Sequence, residues 1–181
     1  VESVEDLDGE FFDRIYRRVH RLPWTVIETA HCILRETTRE DLDRIYEMYE
    51  DPDMTAYMDA LYREKAEEAE YLREYQDKIY AFYGFGVWSV VEKERGLVIG
   101  RAGISMRFCI DKNFRHHGYA LEVCEAILYF MMEEYQVPAF QALVRPGNEA
   151  SVGLLEHLGF NYREDVMVDG KVHRRFLLVT N

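Results

Sequence analysis

The stretch from Asp111 to Phe130, DKNFRHHGYALEVCEAILYF, constrains the fold most, because a strand pattern changes within a few residues into a long amphipathic helix. Apolar side chains recur at intervals of three and four residues from Gly118 to Tyr135, which is typical of a helix with one buried face. The segment 108–111, FCID, just before the turn is typical of a strand. A helix entered directly from a strand indicates a sheet covered by helices.

Strand and helix patterns alternate along the rest of the chain. They predict helices at 11–19, 38–51, 64–82, 118–135 and 148–159, strands at 31–36, 108–111 and 136–144, two strands within 86–107, and a hairpin at 161–180 that turns at Asp169-Gly170. The segment 51–54 is predicted to be a loop. This order predicts one mixed α/β domain at 31–181, with residues 1–30 as an N-terminal helical extension or as the tail of an upstream domain.

The composition is that of a globular protein. Of 181 residues, 48% are apolar and 14% are aromatic, which is enough for one principal domain with a sizeable core. The sequence has no run of about 18 apolar residues, and residues 1–14 are acidic, so neither a membrane span nor a secretion signal is predicted. We expect a cytoplasmic protein with no membrane partner, as a monomer or a homodimer.

Cysteine and histidine spacing argues against metal. Cys32, Cys109 and Cys124 have no C-x-x-C spacing, which predicts reduced core residues rather than a disulfide framework or a zinc site. His116 and His117 are adjacent and have no third ligand near them in sequence, so their side chains diverge and no metal is expected.

Acidic charge is concentrated in the N-terminal part of the chain. The net charge is −12, and residues 1–80 contain 22 Asp or Glu against 11 Lys or Arg. Such a surface repels nucleic acid, which we exclude as a partner, and favours a cationic substrate. The alternative is that the acidity serves only solubility.

The helix entrance at 115–120, RHHGYA, is a candidate anion site. The first backbone N–H groups of a helix lack intrahelical partners, and the helix dipole adds a partial positive charge. Gly118 lacks the Cβ that would keep a phosphate from these amides, Ala120 is nearly as small, and Arg115 can supply a full charge. The alternative is a tight turn with solvated histidines. Neither a P-loop nor a G-x-G-x-x-G motif is present.

Three segments together resemble the GNAT superfamily of acetyl-CoA-dependent N-acetyltransferases. Residues 115–120 resemble its pyrophosphate-binding signature, 148–160 (NEASVGLLEHLGF) are similar to its second signature, and 34–42 (LRETTREDL) are similar to its opening L-R-x-x-T-x-x-D-L. The resemblance covers about residues 31–180 and is closest to the branch that contains the ribosomal-protein N-terminal acetyltransferases, in which Ser commonly occupies the position of Ser151.

The resemblance implies a fold, a co-substrate and a reaction. The fold would be α/β (α+β): a mixed, mostly antiparallel central sheet flanked by helices, with a V-shaped splay between two central parallel strands, here 108–111 and 140–144. Acetyl-CoA would bind in the splay, and its acetyl group would pass directly to a primary amine of a small molecule or peptide in a ternary complex. The implied cofactor-binding residues are Phe108, Cys109, Ile110, Arg115, His116, His117, Gly118, Tyr119, Ala120, Asn148 and Ser151.

Two departures from the family pattern leave catalysis open. Where many relatives have a tyrosine acid, this chain has Leu155, so Ser151 becomes the candidate general acid. The usual carboxylate base is missing because only Met106-Arg107 join two strands; either this turn is tight or residues between Ser105 and Phe108 are absent from the sequence. Glu36 and Asp111 are weaker candidates for the base, beside a water chain to solvent. A non-catalytic acyl-CoA-binding or interaction module of the same fold is the alternative function.

Overall fold

Two antiparallel sheets form the centre of the computed structural model, which describes residues 9–20, 22–58, 60–104 and 108–179. The strands are β1 (Thr25–Glu28), β2 (Cys32–Arg35), β3 (Val87–Glu92), β4 (Leu97–Gly103), β5 (Cys109–Ile110), β6 (Ala139–Val144), β7 (Asn161–Val168) and β8 (Lys171–Val179). The first sheet has the order β1-β2-β3-β4-β5 and the second the order β6-β8-β7. In the described part of the chain β5 and β6 share no ladder, so the sheets part between them, where the splay was predicted.

Seven α-helices cover the described sheets. They are α1 (Gly9–Val19), α2 (Leu42–Tyr49), α3 (Pro52–Thr55), α4 (Lys65–Tyr75), α5 (Ala81–Tyr83), α6 (Tyr119–Tyr135) and α7 (Glu149–His157). Short 3₁₀ turns at Arg39–Asp41 and Lys112–Phe114 precede α2 and α6, and a π-helical segment, Gln76–Tyr80, joins α4 to α5.

Most of the predicted elements are present. The long helix begins at Tyr119 directly after Gly118, as its apolar spacing predicted. The final hairpin turns at Asp169 and Gly170, whose φ angles of 49° and 72° are both positive, as a two-residue turn between twisted strands requires. The helix predicted at 64–82 is present, and Gly84, with φ of 75°, follows its last turn.

Two short elements differ from the prediction. The prediction had no strand at 25–28, but this segment pairs with β2 and so extends the first sheet beyond residue 31. Segment 51–54 was wrongly predicted as a loop: Asp51 accepts a hydrogen bond from the Asp53 amide, and Pro52 begins the one-turn helix α3. Both elements are four residues long, too short for a periodic pattern to stand out. The connection at Met106-Arg107 lies outside the described residues.

Buried apolar residues form three clusters. The first packs the inner face of the first sheet against α6, the second lies under α2 and α4, and the third fills the space between the second sheet, α6 and α7. Cys32, Cys109 and Cys124 are all free and buried, as predicted. Within the described ranges no helix is long and apolar enough to cross a membrane.

The π-helical segment fixes α4 against one end of strands β2 and β3. The Gln76 side chain donates to the Thr37 carbonyl at 2.8 Å, and the buried Tyr80 hydroxyl donates to the Val87 carbonyl. The Val87 amide in turn donates to the Tyr75 hydroxyl at 2.9 Å. A π turn adds one residue to a helical turn and so changes which side chains face the sheet.

The carboxylate of Asp41 joins β2, β3 and the start of α2. Arg35 donates to both of its oxygens at 2.7 Å, the Thr38 amide donates at 2.8 Å and the Ser89 hydroxyl at 3.0 Å. Burial alone would raise the pKa of Asp41, but the hydrogen bonds from Arg35, Thr38 and Ser89 outweigh it and hold this pKa below its ordinary value. The opening motif 34–42 therefore encodes a buried ion pair that anchors a helix.

Replacing Asp41 by Asn should destabilise the fold by about 3 kcal/mol, because the partly buried Arg35 guanidinium would lose its counter-charge. The stabilisation from a carboxyl with a lowered pKa is present above its unfolded pKa of about 3.9 and is lost as pH falls through the folded pKa. The difference between wild type and Asp41→Asn, measured by urea unfolding, should therefore shrink below about pH 4. Asp43→Asn, at an exposed position paired with Lys65, is the control and should barely move the urea midpoint. Equal effects of the two substitutions would contradict this role for Asp41.

Candidate functional site

The backbone before α6 forms an open turn with converging amides. His116 and Gly118 both have positive φ, 64° and 87°. The first helical hydrogen bond of α6 runs from the Glu122 amide to the Gly118 carbonyl, so the amides of Tyr119 and Ala120 precede any intrahelical acceptor. A Cβ placed on Gly118 would meet no atom within 4 Å. The turn therefore has free space in front of its amides, and an anion fits there.

The side chain of Arg115 stabilises this turn from behind. Its Nε donates to the Ile110 carbonyl at 3.1 Å, and its guanidinium is paired with Asp51 at 2.6 Å. The charge expected from Arg115 at the anion site is thus shared with Asp51. Backbone amides and the dipole of the 17-residue helix α6 remain as the main attraction for an anion.

Glu122 is the one acidic residue in the first turn of α6, and its carboxylate is engaged by hydrogen bonds from His31. Its carboxylate accepts hydrogen bonds from the amide and from Nδ1 of His31, both at 2.8 Å. His116 and His117 are exposed at the mouth of the turn, and the His117 ring lies 2.7 Å from the Arg115 carbonyl oxygen. Among the described residues no group of three or more His, Cys, Asp or Glu side chains could hold a metal ion.

Asn148 is the N-cap of helix α7. The Asn148 side chain accepts a hydrogen bond from the Ser151 amide at 3.2 Å. The Ser151 side chain is half-buried, and its hydroxyl makes no hydrogen bond to any part of the chain that the structure describes. The Ser151 hydroxyl therefore has a proton available to donate. Leu155, at the position of the missing tyrosine, is buried in the third apolar cluster.

Two cavities lie on opposite sides of β4. The smaller, about 20 Å³, is apolar and is lined by Ala102, Gly103, Phe108, Cys124, Ile127, Leu128 and Leu158. The larger, about 520 Å³, is lined by Tyr49, Met58, Ala60, Leu61, Tyr62, Glu68, Tyr71, Tyr75, Val87 and Arg101. Successive side chains of a strand point to opposite faces, so Arg101 faces one cavity while Ala102 lines the other. The smaller cavity adjoins the parting of the sheets, and the larger one lies under α4.

The described lining of the large cavity is rich in tyrosine and includes the buried carboxylate of Glu68. Glu68, on the inner face of α4, is only 5% exposed and accepts a hydrogen bond from the Tyr62 amide at 3.0 Å. The rings of Tyr62, Tyr71 and Tyr75 follow one another, with centroids 5.8 and 6.0 Å apart. Burial raises the pKa of Tyr49 to about 12, so that this hydroxyl stays protonated at neutral pH.

The two carboxylates named from the sequence lie elsewhere. Asp111 is paired with Arg44 and accepts from the Asn113 amide at 2.7 Å, so it shapes the 3₁₀ turn after β5. Glu36 accepts from the Trp24 amide at 3.3 Å and lies 3.5 Å from Arg18, and burial raises the pKa of Glu36 above its ordinary value. Neither side chain lines either cavity.

Sequence reasoning missed Glu68 and Arg101 as site residues. A signal was present for each: Glu68 lies four residues before Leu72 on the buried face of α4, and Arg101 interrupts the apolar strand LVIGRAG. A charged residue at a buried register position usually has a special environment.

Comparisons with known proteins agree with this geometry. The family model described as "Acetyltransferase (GNAT) domain" matches residues 31–161. An uncharacterised protein of Bacillus subtilis (strain 168), YkkB, is 25% identical over 130 residues, which are 66% of this chain and 74% of that protein.

Solved structures share the fold at low identity. A GNAT-family acetyltransferase from Bacillus anthracis has a TM-score of 0.70 at 14% identity, covering 84% of this chain and 97% of that one. RimL, the ribosomal L7/L12 alpha-N-protein acetyltransferase, has a TM-score of 0.69 at 10% identity, covering 87% and 95%. The microcin C7 self-immunity acetyltransferase MccE, in complex with acetyl-CoA and AMP, has a TM-score of 0.70 at 9% identity, covering 83% and 93%.

The matched family model spans most of the chain, the two sheets part as in the GNAT fold, and α6 begins with the glycine turn of the first signature, so the chain belongs to the GNAT acetyltransferase family.

Proposed function

We propose that this chain is a cytoplasmic, acetyl-CoA-dependent N-acetyltransferase that passes the acetyl group directly to a primary amine. The observation that carries the proposal is the pair of sites on the two sides of β4. The open turn before α6 and an apolar cavity lie along this helix, while a larger cavity with the buried carboxylate of Glu68 lies under α4.

The open turn at 115–120 fits the pyrophosphate of acetyl-CoA. Amides of Tyr119 and Ala120 would bind its oxygens, and Gly118 leaves room for close approach. The free edge of β5 offers backbone groups to the pantetheine arm, as an added strand would use them. Acetyl-CoA would supply a thioester carbonyl that is activated toward an amine. The structural neighbour MccE, solved with acetyl-CoA, supports this co-substrate.

Glu68 is the side chain best placed to accept the proton from the amine. An alkyl ammonium has a pKa of about 10.4, so its nitrogen must lose a proton to become a nucleophile. Glu68 lines the large cavity and has only the Tyr62 amide as a described hydrogen-bond donor. We therefore assign this role to Glu68 in place of Glu36 and Asp111, directly or through one water molecule.

Ser151 is the proposed donor of a proton to the leaving sulfur. It lies in the first turn of α7, next to the cap residue Asn148, and its hydroxyl has no described hydrogen-bond partner. The thiolate that leaves must be protonated, and a free hydroxyl can do this if its own proton is replaced from solvent.

Gly118→Val should weaken binding of acetyl-CoA by about tenfold or more in calorimetry, because the side chain would occupy the space in front of the amides. Gly170→Val is the matched control, since Gly170 also has positive φ and open space but lies in the hairpin turn far along the chain. Each variant needs a circular-dichroism check of folding. Equal weakening by both variants, or no binding by the wild type, would refute the cofactor site.

Glu68→Gln should lower kcat by about a hundredfold or more at neutral pH, because the amide retains the bond to Tyr62 but cannot accept a proton. Release of coenzyme A thiol in the presence of amines measures this rate, and the loss should diminish at high pH as the free amine becomes abundant. The neighbouring exposed residue provides the control, Glu67→Gln, which should retain full turnover. A chain that binds acetyl-CoA but releases no thiol with any amine would favour the non-catalytic module instead.

Ser151→Ala should lower turnover about tenfold or more while leaving the affinity for acetyl-CoA nearly unchanged, because the lost group acts on the leaving thiolate. Parallel calorimetry and thiol-release assays separate these two effects. Unchanged turnover would remove Ser151 from the mechanism.

A further inference from the structure

We propose that the acceptor is a small amino acid: an amine whose second functional group is a carboxylate bound by Arg101 in the large cavity. This inference rests on the proposed function and specifies its acceptor. It differs from the cationic acceptor that the net charge of −12 suggested.

Arg101 lies where an acceptor must come close to the acetyl group. It is on β4, and its register partner on β5 is Cys109, the first residue of the short strand that ends the first sheet. The Arg101 side chain lines the large cavity beside Tyr49. A ligand held at this position is therefore next to the free edge of β5.

The guanidinium of Arg101 is charged and incompletely bound. Its described partner is the Tyr49 hydroxyl, a neutral group. None of the carboxylates that the structure describes forms an ion pair with it, and its buried Nε atom has no hydrogen-bond partner. Burying a cation is costly unless it is paired, and a carboxylate can bind the planar guanidinium through two parallel hydrogen bonds.

The remaining groups of the cavity fit the rest of such a ligand. Glu68 is the carboxylate among its lining residues and attracts the amine, while Met58, Leu61 and the tyrosine rings surround an apolar body. Arg101 and Glu68 are too far apart to form an ion pair with each other, although both lie near Tyr49. A ligand with one positive and one negative group can therefore neutralise both.

The size of the cavity favours a free small molecule. A volume of about 520 Å³ is in the usual range of small-ligand pockets, which is about 300–1,000 Å³. The cavity is bounded by α4 on one side and by β3 and β4 on the other. A cavity of this size can hold a free α-, β- or γ-amino acid.

The test uses matched pairs of acceptors: α-, β- and γ-amino acids, each with its own carboxamide, together with an alkyl diamine. Thiol release with acetyl-CoA should give a kcat/KM for at least one acid that exceeds that of its amide, and of the diamine, by about tenfold or more. Arg101→Gln should remove this preference by lowering kcat/KM for the acid and leaving that for the amide nearly unchanged.

Two further variants keep the result interpretable. Arg73→Gln changes the same residue type at an exposed position on α4 and should preserve the preference for the acid. Arg101→Lys retains the positive charge but cannot form two parallel hydrogen bonds with a carboxylate. This variant should therefore keep part of the preference for the acid over its carboxamide. Calorimetry with acetyl-CoA on each variant separates loss of the fold or of the cofactor site from loss of acceptor recognition.

The outcomes distinguish this inference from the proposed function. If wild type does not bind acetyl-CoA or acetylates no amine, the proposed function fails and the inference fails with it. If wild type acetylates amines but amides or diamines are as good as the acids, or if Arg101→Gln keeps the preference, the function stands and the inference about Arg101 is wrong. If Arg101→Gln does not fold, the comparison of acids with amides in wild type and Arg101→Lys decides.

Discussion

The buried carboxylate of Asp41 holds together the part of the fold that carries a wall of the large cavity. It accepts hydrogen bonds from Arg35 on β2, from Ser89 on β3 and from the backbone at Thr38. Helix α2 begins directly after this anchor and ends at Tyr49, whose hydroxyl contacts Arg101. One ion pair in the core therefore sets the direction of the helix that carries a wall of the large cavity. A buried ion pair contributes little net stability compared with apolar packing, but it orients the elements that supply its partners.

The turn at 115–120 depends on a different feature: strand β5 is followed within a few residues by helix α6, without a regular loop. Arg115 binds back to the Ile110 carbonyl and to Asp51, so the turn is fixed to β5 and to the start of α3. The Arg115 side chain therefore stabilises the turn, and the proposed anion binding depends on the backbone amides. Main-chain amides at a helix N-terminus need no charged side chain to attract phosphate, because they and the dipole already present positive charge to it.

The elements with long periodic patterns could be predicted, and those defined by tertiary contacts could not. Helix α6 and the hairpin at Asp169-Gly170 follow from local spacing and from turn chemistry. Strand β1 forms because it pairs with β2. The side chains of the π-helical segment Gln76–Tyr80 contact the ends of β2 and β3. Neither contact can be recognised in a short window of sequence. The same reason separates the two halves of the candidate site. Residues 115–120 form one local motif, whereas Glu68 and Arg101 line the same cavity only because α4 packs over β4.

The acidic composition predicts a cationic acceptor, whereas the acceptor that we propose also carries a carboxylate. Net charge is a sum over the whole surface, and at physiological salt a charge more than about 8 Å away through water is largely screened. Arg101 is partly buried on the wall of the large cavity, where its interaction with a bound group is screened less than that of a fully exposed charge. Exposed acids such as Glu67 and Glu70 on the outer face of α4 would therefore affect the rate at which a ligand approaches. Arg101, on the cavity wall, would affect which ligand binds. Under the proposed function, the charge on the cavity wall therefore bears more directly on the substrate class than the net charge of the chain does.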